Sequence, residues 1–173
     1  MIKIDPIALE TYHKALKLIE DYGIKPKKPE IGIVDLQFFI KYWKNKEENP
    51  IIAKLFAEQT LGISDKQKRN FGLIIHEILH SSTILDSKNS PKWISEGLVR
   101  AITKEIMKHI KESPIQNLYQ KEYEDFWLEK LQKEKDKIIN AFIASDLKTA
   151  EKILEEVLGI ENPLEKSFNE IYY

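Results

Sequence analysis

The stretch Phe71-Gly-Leu-Ile-Ile-His76-Glu77-Ile-Leu-His80 constrains this chain more than any other. Its apolar residues Phe71, Leu73, Ile74, Ile75, Ile78 and Leu79 cover most of a helical circumference, so the segment predicts a helix buried on most sides. Such a helix has little room for two histidines and a glutamate. An ionised carboxylate in a core is costly unless it is paired or serves a metal site. Four positions separate His76 from His80, which puts them one turn apart on one face, close enough to share a metal ion. Zinc takes neutral imidazole nitrogens at about 2.0–2.1 Å, and a hydrolytic zinc site needs three protein ligands plus an open position for water. Glu77 lies about 100° round the helix from His76, where its carboxylate would take a proton from that water. The competing reading is an amphipathic core helix whose histidines hydrogen-bond within the interior.

A third ligand must come from elsewhere in the chain. Downstream, Ser90-Pro-Lys-Trp93-Ile-Ser-Glu96-Gly97-Leu-Val-Arg-Ala-Ile predicts a second helix with a glutamate in its first turns. Fifteen residues lie between His80 and Glu96, enough to finish one helix, turn, and bring the next back against it. The pair His-Glu-x-x-His and Trp-x-x-Glu-Gly resembles the gluzincin zinc metallopeptidases, especially the small peptidase MA-like domains. The resemblance implies a zincin-like fold, hydrolysis of peptide bonds and one zinc ion per chain. It makes His76, His80 and Glu96 the metal ligands and Glu77 the general base. It covers roughly the first 110 residues, because the order of helix, glycine, proline-rich connector and strand also matches the N-terminal part of such domains. It further implies that a tyrosine or histidine of the C-terminal third steadies the oxyanion; Tyr119 and Tyr123 are the candidates, beside a plainer role as core aromatics. One position departs from the pattern. Thermolysin-like relatives place an acid four residues after the third ligand to hold a zinc-binding histidine, and here that place is Arg100, which accepts no hydrogen bond. Support for the ligands must then come from Asp86 or a main-chain carbonyl.

At 173 residues the chain suits a single domain, with an N-terminal part over 1–84 that carries the histidine helix and a helical C-terminal part over 85–173. Hydrophobic residues make up 42% and charged residues 32%, and the formal net charge is -1, so no basic face for nucleic acid is expected. Lysines alternate with glutamates along helical segments such as Lys130 to Lys137, as on a solvated face. Cysteine is absent, which excludes disulfides and thiolate metal sites. The N-terminus has no signal-peptide pattern, and no run approaches about 18 apolar residues. The expectation is a cytoplasmic protein that acts on a peptide or protein substrate, with no membrane partner. Cleavage specificity and oligomeric state are left open by the sequence. Two other functions remain as alternatives: a catalytically inactive zinc-binding regulatory or partner-binding module, and a helical structural protein without metal.

The expected fold class is α+β and predominantly helical, with a small β-sheet ahead of the histidine helix and helices after it. Asp5-Pro6 opens a helix over about 6–22 that stops at Gly23. An extended connector with two prolines leads to a strand over Glu30–Asp35. The region from Asp35 to Leu61 predicts two helices broken at Asn49-Pro50, against a rival strand over Phe56–Ile63; its aromatic residues, among them Phe38, Phe39 and Trp43, read as core. Ser64-Asp-Lys-Gln67 reads as a capping box that starts the histidine helix near Asp65 and carries it to Ile84. Ser90-Pro91 starts the glutamate helix, extending to Ile110, and Gly97 lets the histidine and glutamate helices approach closely. Ser113-Pro114 opens a long helix through Phe142, Asp146–Leu158 forms another ending at Gly159, and Asn162-Pro163 caps a last short one. His13 and His109 read as surface residues, and the tail ending in Tyr172-Tyr173 is long enough to fold into the cleft.

Overall fold

The computed structural model describes residues 6–28, 30–34, 53–56, 60–64, 70–110 and 121–172, the three segments 30–34, 53–56 and 60–64 by their backbone. Helix α1 (Pro6–Asp21) buries Ala8, Thr11, Tyr12, Ala15, Leu16 and Ile19, the helical period expected from the sequence. Gly23, at φ 102°, supplies the left-handed conformation that ends it. The connector that follows alternates, with Ile24 and Pro26 buried and Lys25 and Lys27 exposed, as an extended chain requires.

Strands β1 (Glu30–Val34), β2 (Ala53–Phe56) and β3 (Thr60–Ser64) form a three-stranded sheet in the order β1-β3-β2. β1 runs parallel to β3 with Glu30 opposite Thr60, and β2 runs antiparallel to it with Phe56 opposite Thr60. The helix expected over Ile51, Ile52, Leu55 and Phe56 is therefore corrected, since Ala53–Phe56 is extended and pairs with Thr60–Ile63. Four apolar residues at helical spacing are too few to decide between helix and strand, and pairing decided it. The aromatic residues between Leu36 and Trp43 and the helix start at Ser113-Pro114 lie outside the described residues.

The other described elements are helical: α2 (Phe71–Ser82), α3 (Lys92–Met107), α4 (Lys121–Phe142), α5 (Leu147–Leu158), a 3-10 turn (Pro163–Glu165) and α6 (Asn169–Tyr172). α2 starts later than the capping box implied. Its N-cap is Asn70, whose side chain accepts a hydrogen bond from the Leu73 amide at 3.1 Å, whereas Ser64 ends β3. α5 is capped as expected, by Asp146 accepting from the Thr149 amide and by Gly159 in the left-handed conformation at its C-terminus. α4 carries one non-helical residue, Glu134 (φ -137°, ψ 41°), where its axis kinks.

The α+β, zincin-like fold class is corrected by this arrangement: the described architecture is helix packed on helix. Apart from Ile24 in the connector after α1, the described core residues belong to helices or to turns between them, from Ala8 and Ile19 through Ile74, Ile78, Ile94 and Ile102 to Trp127, Phe142 and Leu154. α2 lies against α1 and α3, α3 against α4, and α4 against α5. The reason is one of area. Strands of five, four and five residues offer little surface to cover, while five helices of 12 to 22 residues each carry a face that must be buried. Among the described residues, no helix is long and apolar enough to cross a membrane.

The joint between α3 and α4 is aromatic. Trp93 and Trp127 stack with ring centroids 5.8 Å apart and planes 8° from parallel. The Trp127 indole donates to the Trp93 carbonyl at 2.7 Å, and the Trp93 indole donates to the Lys166 carbonyl at 2.7 Å. Phe126, Phe168 and Tyr172 extend the cluster edge to face and stacked, so the C-terminal segment docks on α3 and α4 through its rings. Gly97 sits inside this joint, and its close approach is to α4, not to the histidine helix as expected. A Cβ there would lie 2.6 Å from Trp127 Cδ1 and 3.0 Å from Tyr123 Cβ. Trp127, fully buried and hydrogen-bonded, has nowhere to move. Gly97→Ala is expected to lose about 1–2 kcal/mol net, the overpacking outweighing the better helix propensity of alanine; urea denaturation midpoints compared with wild type check this.

Candidate metal centre

The two helices that carry the motif are buried almost all round, and their breaks in burial coincide with the chemistry. On α2, Gly72 to Ile75, Ile78 and Leu79 are buried, while His76, Glu77 and His80 are only half-buried. On α3, every residue from Trp93 to Thr103 is buried except Glu96. Apolar residues thus fix both helices on nearly every side and leave His76, His80 and Glu96 facing one gap between them.

In that gap three donors converge. His76 Nε2 lies 3.0 Å from His80 Nε2 and 3.5 Å from Glu96 Oε2, and His80 Nε2 lies 3.3 Å from Glu96 Oε1. The imidazole planes cross at 79° with centroids only 4.6 Å apart. Rings joined by a head-on N–H···N bond would stand further apart, so the two nitrogens converge on a shared point more than they face each other. Ligand atoms at about 2.0–2.1 Å from a zinc ion and disposed tetrahedrally stand about 3.3–3.4 Å from one another. The observed spacings bracket that value. The donor set of two imidazoles and one carboxylate therefore fits a single zinc ion with adjustments of a few tenths of an ångström. Side-chain exposures of 12%, 17% and 24% for His76, His80 and Glu96 leave the centre open on one side, which a fourth, exchangeable position needs.

Electrostatics point the same way. Burial alone would raise the Glu96 carboxyl, but hydrogen bonds from His76 and His80 and their charges more than offset it and hold it well below the usual carboxylate range. Burial alone would lower the His80 imidazole. The hydrogen bond to Glu96 and the charges of Glu96, Glu77 and Asp86 overcome this and raise it above its ordinary value of 6.5. The gap favours positive charge.

The remaining candidates separate. Glu77 is half-buried next to the ligands, and its charge acts on His80. Asp86 also acts on His80 and shares a cavity with it, while its Oδ1 accepts from the Lys88 and Asn89 amides. Arg100 is turned to α4, where its guanidinium meets Glu124 at 3.4 Å beside Lys104 at 2.8 Å, and the sequence had marked it as unable to support a ligand. Tyr123 lies in the aromatic cluster, 4.9 Å from Phe168 and beside Gly97, and Tyr119 is outside the described residues. His13 and His109 are exposed, as expected. What the sequence did not signal is the bracing of the glutamate helix through Trp93 and Trp127, because the Lys166 carbonyl comes from 73 residues away.

The chain matches no protein-family model, no curated protein and no solved structure in comparisons with each.

A metal ion and a proton compete for His80. Because its proton is held more firmly than that of a free imidazole, competition sets in above pH 6.5 as pH falls. Zinc affinity is expected to fall as pH falls, and His80→Ala and Glu96→Ala to weaken it by at least about tenfold at pH 8; competition with a chromophoric chelator measures both. Without metal the sign reverses for folding. The raised His80 value contributes stability that is full below 6.5 and lost as pH rises through it, and the lowered Glu96 value contributes stability that is lost as pH falls below 4.5.

Proposed function

We propose that this protein is a zinc-dependent metallopeptidase of gluzincin type. The observation that carries the reading is the convergence of His76, His80 and Glu96 donor atoms within 3.0–3.5 Å of one another, on two helices otherwise buried, with a glutamate directly after the first histidine. His76 Nε2, His80 Nε2 and the Glu96 carboxylate hold the ion. Zinc, when bound, supplies Lewis-acid polarisation of the scissile carbonyl and acidifies a water at its open position.

The residues of the chain do the rest. Glu77 accepts the proton of the attacking water as the C–O bond forms, then delivers it to the leaving amine as the C–N bond breaks, so the carboxylate is restored at the end of the cycle. Three things support that role: Glu77 directly follows one ligand, is half-buried, and acts on His80 through its charge. The buried faces of α2 and α3 hold donors and base in register, so little reorganisation is needed when substrate arrives.

Glu77→Gln keeps the size and hydrogen-bonding reach of the side chain and removes the base. The variant is expected to retain about one zinc per chain while turnover of a fluorogenic peptide mixture falls by at least about a hundredfold. Elemental analysis and a continuous cleavage assay read the two quantities separately, and full activity in the variant would refute the base assignment. A metal-loaded wild type that cleaves nothing would favour the zinc-binding regulatory module.

A further inference from the structure

A cavity of about 450 Å³ opens at the C-terminal end of α2 and meets the metal centre at His80. Three observations describe what it suits. First, Lys25 and Lys27 line one side, and the connector that carries them is anchored: Ile24 and Pro26 are buried, and the Lys27 amide donates to Ser82 Oγ at 3.0 Å, itself bonded to the Ile78 carbonyl at 2.7 Å. Alternation along this extended segment places both lysines on the same side. Second, neither ammonium has an ion-pair partner among the described residues, so both charges are available to a ligand. Third, Ile143 forms part of the wall and is 43% exposed, one of two large hydrophobic side chains left in solvent among the described residues. Against the two cations stands one carboxylate, Asp86, whose Oδ1 is committed to the amides of Lys88 and Asn89. The cavity combines an apolar patch with an excess of positive charge next to a candidate metal ligand.

We propose that this cavity is a specificity pocket for an acidic residue of the peptide substrate, the methylenes of a glutamate lying on Ile143 and its carboxylate between Lys25 and Lys27. The nature of the ligand rests on the peptidase reading; the charge preference rests on the cavity itself. The lysines are exposed at their own positions, so each attraction is modest and screened by salt.

The test uses the zinc-loaded Glu77→Gln protein, which binds without turnover, and two fluorescein-labelled octapeptides identical except for one central residue, glutamate or lysine. The glutamate peptide is expected to bind about five- to tenfold more tightly in fluorescence anisotropy at low salt, the advantage shrinking at high salt. Adding Lys25→Glu and Lys27→Glu, both surface changes, should reverse the preference. Equal affinities, no binding of either peptide, or a preference that survives the charge reversal would each overturn the pocket. Cleavage of the same two peptides by wild type separates the readings. If neither is cut but the preference and its reversal hold, the pocket stands and the peptidase reading falls. If both are cut at equal rates, the peptidase reading stands and the pocket falls.

Discussion

Everything about this site depends on the demand of three converging donors for a cation. Two imidazole nitrogens and a carboxylate crowd within 3.0–3.5 Å of one another in a half-buried gap, where hydrogen bonds from the imidazoles offset the hydration that Glu96 has lost. A carboxylate that has lost hydration favours a positive partner, and an imidazole nitrogen offers either a proton or a lone pair to that space according to its tautomer. A proton on His80 answers that demand, which is why its affinity for the proton rises although burial opposes it. A divalent ion answers it better, since one charge centre reaches all three donors at once. A metal bound here would displace that proton, and the helices bear the cost of holding the three donors together.

Those helices are held by the apolar surface around the gap. α2 is fixed through Leu73, Ile74, Ile75, Ile78 and Leu79, α3 through Trp93, Ile94, Leu98, Val99, Ala101 and Ile102. Each buried side chain of this size is worth about 1.5–3 kcal/mol against exposure, far more than the exposed ion pairs such as Lys14–Glu10 and Lys133–Glu129 contribute. Glu96 has a further brace. The turn before it is tied to α4 by the Trp127 indole and to the C-terminal segment by the Trp93 indole, so the carboxylate position is set by contacts that reach from residue 93 to residue 166. The tail that the sequence offered as a plug for the cleft is, through Tyr172, instead part of this brace, with Phe168 and Tyr172 stacked on each other and both meeting Phe126 edge to face.

Local signals in the sequence were read well where they decide structure locally. The Asp146 cap, the Gly159 stop and the period of α1 were legible because each rests on a hydrogen bond or a face within a few residues. The site was legible for the same reason in part: His76 and His80 are related by helical geometry, and Glu96 by a second motif. Errors arose where the decision is made at a distance. Ala53–Phe56 became a strand because Thr60–Ile63 pairs with it, not through any propensity of its own. Ser64-x-x-Gln67 had the composition of a cap, yet Ser64 ends a strand and Asn70 caps the helix. Gly97 was expected to let the histidine and glutamate helices approach, but the surface that closes on it is Trp127 of α4.

The helical character of the described core also bears on what a site of this kind requires. Two ligands one turn apart need a helix; the third needs a second element whose backbone is fixed within a fraction of an ångström of the first. A pair of buried helices meets both conditions, and the packed faces of α2 and α3 supply most of the rigidity. The strands contribute differently, since β2 lies beside α2 and β1 beside α1. The candidate site is therefore a property of side-chain convergence on two helices, and the fold around it is one means of holding that convergence.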